Sequence, residues 1–246
     1  MNVPFSITRD FYWWKLRRNT MRALRAVTGD PGHILDVGCG HAALAPTSME
    51  VLGEGWFYLG IDLSIAALQG ARKHLKECGI SGAFAQADSA AALPLPNGSI
   101  RVLVCSEVLE HIPKPLKLLR EMARVLAEGG LAVFTTPNPR RWLSRNGAGV
   151  QDSEPDKDGT YGHVSVLPQS AWRTLFAEAG LEVVEVARGA LFFGKREYER
   201  SIVVVGAYIL ADGLLDLMPG AGLTENICYT VRKTGTNSIN METTST

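Results

Sequence analysis

The 246-residue chain has no excess charge of either sign, with 25 Lys and Arg against 25 Asp and Glu. A dedicated nucleic-acid binder carries a broad basic field, so a small or amphipathic substrate is favoured over a polyanion. Long apolar runs are missing too. The most membrane-like stretch, SIVVVGAYILA from Ser201 to Ala211, stops at Asp212, well short of the roughly 20 residues that span a bilayer. It is expected to be a core element, a buried part of a substrate lid or an interfacial segment. Cysteine is sparse, and Cys39, Cys78, Cys105 and Cys228 lack the C-x-x-C spacing of a zinc site. They read as reduced thiols. The opening MNVPFSITRDFYWW has no basic segment leading into an apolar one, the order of a signal peptide, so a cytoplasmic protein is expected. There is no internal repeat.

What is present is alternation. From residue 33 onward, β-like runs (HILDVG, FYLGID, AFAQAD, IRVLVCSE, GLAVFTT) alternate with helical stretches (AALAPTSMEVL, SIAALQGARKHLKE, PLKLLREMARVLAE). Such alternation predicts βαβ units and a parallel sheet with helices on both faces. Right-handed crossovers then bring all the strand C-termini to one edge, where ligands bind. A helix at QSAWRTLFAEAG, a strand LEVVEVAR and a last strand around NICYTVRK follow. We divide the chain into an N-terminal helical lid segment over 1–29, an α/β domain over 30–234 and a polar, disordered tail over 235–246. Two stretches depart from the alternation. The loop from Pro137 to His163 is rich in Pro, Gly, Asn and Asp and too long for an idle connection. The apolar insertion over 189–225, with Phe192, Phe193, Tyr198, Tyr208, Leu214 and Met218, suits a substrate lid, core packing or a homodimer contact.

HILDVGCGHA is a strand ending in an acid, then a glycine turn. Gly38 and Gly40 let the chain reverse and let backbone approach a ligand. GCGHAA ends in Ala43, so the full dinucleotide fingerprint G-x-G-x-x-G is absent. Carboxylates recur in series: Asp36 closes the first strand, Asp62 the second, and Asp88 follows the third. The second can accept both hydroxyls of a ribose, and the third can accept from an adenine amino group. Together they describe an adenosine pocket without a pyrophosphate cradle.

In LDVGCG, GID-S, AD…LPLP and EVLEH, in that order, the chain resembles the class I S-adenosylmethionine-dependent methyltransferases, in particular their small-molecule branch. The resemblance is close over about Gly32 to Thr136 and looser over GHV…W…LFAEAGLEV. It implies a Rossmann-like fold with a seven-stranded, mostly parallel sheet and an antiparallel last strand. It also implies that Gly38, Cys39 and Gly40 lie under the methionine moiety and that Asp36 helps to hold its amino group. Asp62 would bind the ribose, Asp88 with Ser89 would face the adenine, Leu63 would also bind the cofactor, and Ser106 would come beside the sulfur. Trp14 and Arg17, in an aromatic and basic N-terminal helix, would close over the cofactor. The chain departs from its relatives at Ala42, where many carry glycine.

The stretch SEVLEH, Ser106 to His111, stays open to three readings. In a helical turn, Glu107, Glu110 and His111 would share one side. They then either shape the pocket through local hydrogen bonds or supply catalysis, with His111 or His163 as general base and Glu107 beside them. The third reading follows a resemblance to metal-dependent O-methyltransferases of ubiquinone biosynthesis and of small RNA. Glu107, Glu110, His111 and His163 would there hold a divalent cation that lowers the pKa of vicinal hydroxyls. A metal is not the favoured reading.

The expected function is methyl transfer from S-adenosylmethionine, by in-line displacement, to a hydroxyl of an amphipathic or aromatic small molecule. Alternatives are a metal-dependent enzyme acting on vicinal diols or an RNA 2′-hydroxyl, and a cofactor-binding regulator without turnover.

Overall fold

The computed structural model describes residues 6–88, 92–139, 149–150, 162–189, 210, 213–214, 224 and 226–234. Ser89, the tail, most of the long loop and most of the apolar insertion, including Phe192, Phe193, Tyr198, Tyr208 and Met218, lie outside the described residues.

Helix α1 (Ser6–Leu24) leads into β1 (His33–Val37), α2 (Ala45–Leu52), β2 (Phe57–Asp62), α3 (Ile65–Glu77), β3 (Gly82–Gln86) and β4 (Ile100–Ser106). After a single 3₁₀ turn at Leu109–His111 come α4 (Pro115–Val125), β5 (Leu126–Pro137), β6 (Gly149–Val150), β7 (Ser165–Val166), α5 (Gln169–Glu178), β8 (Leu181–Arg188) and β9 (Asn226–Lys233). Seven strands form one sheet in the order β3-β2-β1-β4-β5-β9-β8, and β6 pairs with β7 apart from it. The first five are mutually parallel, while β9 runs antiparallel to both neighbours. The expected sheet is therefore observed, and the strand order reverses between β1 and β4.

Parity along the strands sorts the core, because successive side chains point to opposite faces. Ile34, Val102, Val104, Leu131 and Val133 pack on one face with Leu16, Met21 and Leu24 of α1, Ala45 of α2 and Leu75 of α3. Leu35, Val37, Leu103, Cys105, Ala132 and Phe134 pack on the other with Leu118, Leu119 and Met122 of α4 and with Trp172 and Phe176 of α5. Strands buried on both faces read as unbroken apolar runs. That is why IRVLVC and LAVF show no alternation in the sequence.

Local chemistry sets the boundaries. Ser64 caps α3, its hydroxyl accepting from the Ala67 amide at 3.2 Å, and proline in the first turn starts α2 and α4. The helix expected to run through Glu128 stops at Val125. Leu126 is recruited into the ladder opposite Ile100, the register then shifts, and Gly129, at φ +68°, bends the chain back into line with β4. Tertiary pairing overrides helix propensity there. Helix α1 is packed on the body: Asn19 donates to the Arg188 carbonyl at 2.6 Å, and Leu16 and Leu24 are buried. Among the described residues, no helix is long and apolar enough to cross a membrane.

Candidate active site

The C-terminal ends of β1, β2, β3 and β4 carry most of the residues singled out in the sequence. After β1 the chain turns at once, and the Gly38 and Cys39 amides donate to the Ile61 carbonyl at 2.8 and 3.1 Å. Gly38 and Gly40 take φ values of +70° and +52°, where a side chain is strained. The two glycines differ in surroundings. A Cβ on Gly38 would lie 2.3 Å from Val108 Cγ2, whereas one on Gly40 would meet nothing within 4 Å. Ala42 is also left-handed, at φ +56°. The turn thus holds a non-glycine residue in the left-handed region, at a cost of about 1–2 kcal/mol.

Asp62 locks this turn to β2. One of its oxygens accepts from the Gly40 amide at 2.8 Å and the other from the Ser64 amide at 2.9 Å. An ionised carboxylate has about four acceptor positions, so two remain for a ligand's hydroxyls. Beside it, Leu63 is an exposed apolar side chain, and its carbonyl accepts from Gln86 at 3.0 Å. Asp88 is exposed just beyond β3, on the same edge, because Asp62 pairs with Gln86 across the ladder.

Asp36 is buried and accepts from the Tyr58 hydroxyl at 2.6 Å. Burial raises its pKa to about 6, against the lowering effect of that hydrogen bond and with a further rise from the Asp62 charge. Cys39 is buried beside both carboxylates; burial first and their charges second push its thiol up, so it stays protonated. Trp14 is half exposed with the Arg18 guanidinium 5.6 Å from its ring centroid, and Arg17 reaches the Ala43 carbonyl at 3.4 Å. The N-terminal helix therefore meets the turn at Ala43, three residues after Gly40.

At the end of β4, Ser106 shares a hydrogen bond with Thr135 at 2.9 Å. Glu107 then adopts φ +55°, a conformation that a non-glycine residue holds only when its surroundings impose it. Its amide donates to the Thr135 carbonyl and to Thr135 Oγ1, both at 3.1 Å, while Oε1 accepts from Asn226 at 3.3 Å. This backbone reversal is the difference from the sequence reading. Glu107 is thus not in helical register with Glu110 and His111, although its charge still acts on Glu110.

A different trio assembles instead. The Val164 amide donates to the Glu110 carbonyl at 2.8 Å, and Ser165 Oγ to the Ile112 carbonyl at 2.6 Å. These two bonds fasten the segment after the long loop to the 3₁₀ turn. His163 consequently stands edge-on to His111, with ring centroids 4.8 Å apart. Glu110, His111 and His163 can each offer a ligand atom, all within 4.8 Å of one another. Glu110 is fully buried, and neither of its oxygens has a hydrogen-bond partner among the described residues. Burial first, then the nearby Glu107 charge, raises its pKa well above the carboxylate range. Burial and the neighbouring His111 lower that of His163.

Tyr58, Thr135 and Asn226 were not anticipated from the sequence. Tyr58 lies on the strand beside that of Asp36, Thr135 on β5 beside β4, and Asn226 on β9, one strand further out; each meets its partner only in the folded sheet, and no local pattern marks any of them. The left-handed Ala42 did leave a trace, as the third small residue of the G-x-G-x-A turn.

A reversing parallel sheet with a glycine turn after β1 and an acid after β2 defines a nucleoside-binding, Rossmann-like α/β protein. The protein-family model described as "Methyltransferase domain" matches residues 12–186, and the chain belongs to that family. It is 34% identical over 158 residues to the ubiquinone biosynthesis O-methyltransferase of Thiobacillus denitrificans, covering 62% of this chain and 66% of that protein. With its counterpart from Sodalis glossinidius it shares 35% identity over 113 residues, 45% of this chain and 44% of the relative. The chain thus spans about half to two thirds of the length of these curated relatives. Among solved structures, the [4+2]-cyclase SpnF superposes with a TM-score of 0.62 at 20% identity, over 89% of this chain and 81% of that one. A methyltransferase from Aquifex aeolicus superposes at 0.56 and 14% identity, over 88% and 89%. At such identities the likeness establishes the fold; the presence of a cyclase among these neighbours illustrates that chemistry must be argued from the site.

Proposed function

We propose that this protein transfers a methyl group from S-adenosylmethionine to a hydroxyl oxygen of an amphipathic or aromatic small molecule. The observation that carries the reading is Asp62, which braces the glycine turn through the Gly40 amide and keeps acceptor capacity for a pair of ribose hydroxyls. The residues fit the cofactor otherwise. Nothing stands within 4 Å of where a Gly40 Cβ would be, leaving backbone open to a ligand, and Leu63 offers an apolar surface beside Asp62. The names of the O-methyltransferase relatives support oxygen as the acceptor atom. Trp14 and Arg17 belong to the lid segment in this reading, and Ser89 with Asp88 to the adenine side. The free cysteines accord with a reducing, cytoplasmic setting.

Bound S-adenosylmethionine supplies an electrophilic methyl on a cationic sulfur. The chain's own task is alignment and proton removal. His163, held near His111 by the Val164 and Ser165 bonds, is the general base: its lowered pKa leaves the imidazole neutral at pH 7 and ready to accept a hydroxyl proton. Glu107, pinned by Asn226, shapes the wall at the end of β4. Zero net charge and the absence of a basic field argue against an RNA substrate.

Thermal denaturation tests the cofactor first. S-adenosylhomocysteine at a hundred times its Kd should raise stability by about 2.7 kcal/mol, roughly 5–11 °C for a domain of this size, while a nicotinamide dinucleotide leaves Tm unchanged. No shift with S-adenosylhomocysteine refutes the reading. Methylation of any acceptor excludes the non-catalytic alternative.

The Glu110, His111 and His163 trio favours a second reading, a divalent cation. Two ligands each about 2.1 Å from one ion lie at most about 4.2 Å apart, so the widest pair of the trio would have to close by at least about 0.6 Å. Glu107, turned to Asn226, would be outside that set. Titration calorimetry of Mg²⁺, Mn²⁺ and Zn²⁺ into the S-adenosylhomocysteine complex decides it. Saturable binding lost in both Glu110→Ala and His163→Ala supports the cation, and no binding leaves His163 as the base.

A further inference from the structure

Asp36 and Tyr58 sit on neighbouring strands beneath the glycine turn, and the reason they meet lies in the ladder. Ile34 pairs with Tyr58 and Asp36 with Gly60. On the β2 side, therefore, no side chain stands opposite Asp36, and none would fit: a Cβ on Gly60 would lie 2.6 Å from the Phe84 ring and 2.8 Å from Cys39 Sγ. Across that gap Tyr58, supported by Phe84 with ring centroids 5.9 Å apart, reaches diagonally to place its hydroxyl 2.6 Å from Asp36 Oδ2. Both side chains are buried, Tyr58 to 1% and Asp36 to 4% exposure.

A buried carboxylate is normally balanced by a cation. Here the groups that influence Asp36 are the Tyr58 phenol and the Asp62 carboxylate, both on β2. The thiols of Cys39, on the turn, and Cys105, on β4, also feel its charge. No cation is among them. Tyr58 spends its hydroxyl proton on one oxygen, which leaves the second oxygen's acceptor capacity for a cationic group arriving at the turn.

We propose that Tyr58 is a positioning residue for the cofactor, its hydroxyl fixing the orientation of Asp36 so that the carboxylate receives the ligand's ammonium group. The inference rests on the S-adenosylmethionine reading above and adds to it a residue on β2 and a pH-dependent affinity. The sign follows from the protonation states. An ammonium is attracted to ionised Asp36, so affinity rises as the pH passes upward through about 6, the value to which burial raises this acid. The Tyr58 hydrogen bond favours the ionised form, so its removal moves that rise to higher pH.

The test is calorimetric titration of S-adenosylhomocysteine into the wild-type chain, Tyr58→Phe and Asp36→Asn between pH 5 and pH 7.5. Tyr58→Phe keeps the ring against Phe84 and removes only the hydroxyl. The expected result is affinity about tenfold weaker near pH 6, the worth of one hydrogen bond to a charged group, with the midpoint displaced upward and the deficit shrinking as pH rises. In Asp36→Asn the pH dependence over this range disappears. A Tyr58→Phe profile that superimposes on the wild type, or a deficit equal at every pH, overturns the proposal. Should Tyr58→Phe fail to fold, persistence of the wild-type pH dependence in Asp36→Asn overturns it equally. Absence of S-adenosylhomocysteine binding by the wild-type chain at every pH refutes the cofactor reading itself, a different result from binding that ignores Tyr58.

Discussion

Replacing Asp62 by Ala should damage folding and cofactor binding by separable amounts. In the free protein the carboxylate makes two charge-assisted bonds, to the Gly40 and Ser64 amides at 2.8 and 2.9 Å. Hydrogen bonds to charged groups contribute about 1.5–3 kcal/mol each. The Ser64 amide is exposed and can turn to water once its partner is gone, so the Gly40 bond dominates and the expected loss is about 2 kcal/mol. For a chain of this size that lowers Tm by about 4–8 °C. With ligand bound, the same carboxylate would also accept two ribose hydroxyls. Losing about 3 kcal/mol there weakens S-adenosylhomocysteine binding by roughly a hundredfold. Urea denaturation measures the first effect and titration calorimetry the second. Asp62→Asn, which keeps one acceptor oxygen, should fall between. An Asp62→Ala protein that binds S-adenosylhomocysteine within threefold of the wild type would refute the ribose assignment, whatever its stability.

The two turn glycines should separate in the opposite sense. Gly38→Ala combines a left-handed φ with the collision against Val108 and should cost about 2–4 kcal/mol, relieved in part by a second Val108→Ala change. Gly40→Ala carries only the backbone penalty, about 1 kcal/mol, but its methyl enters the ligand's space, so binding suffers more than Tm; the reverse ranking would place the cofactor elsewhere. Glu110→Gln should stabilise the protein increasingly as pH rises. A folded-state pKa above the unfolded 4.5 means that the native chain holds its proton longer, so wild-type stability falls as pH climbs from about 4.5 toward that raised value. Urea midpoints from pH 4 to 8 that run parallel in both proteins would contradict this. With His163 as base, kcat should fall with acidification at a midpoint below the usual 6.5, because burial and His111 depress its pKa. A midpoint above 6.5 excludes His163.

The sheet edge and the residues proposed for the cofactor are written locally. A strand ending in an acid, a glycine turn and an acid ending the next strand are features of short segments, and parallel pairing carries them to one edge wherever the crossovers lie. At SEVLEH the helical turn considered from the sequence does not form at Glu107. Helical spacing put Glu107 with Glu110, but the Thr135 and Asn226 contacts that hold Glu107 at φ +55° come from β5 and β9, far along the chain.

Sequence alone determined the α/β class, the parallel part of the sheet and the row of Asp36, Asp62 and Asp88, because period, turn residues and strand-end acids are encoded within a few residues of one another; the antiparallel last strand was expected only from the family resemblance. Tertiary structure alone decided which buried groups meet. Tyr58 reaches Asp36 across the gap at Gly60, Asn226 donates to Glu107, and the Val164 and Ser165 bonds carry His163 to His111 and Glu110. Each of these contacts joins different elements, and its energy depends on register and burial, which exist only once the sheet has formed.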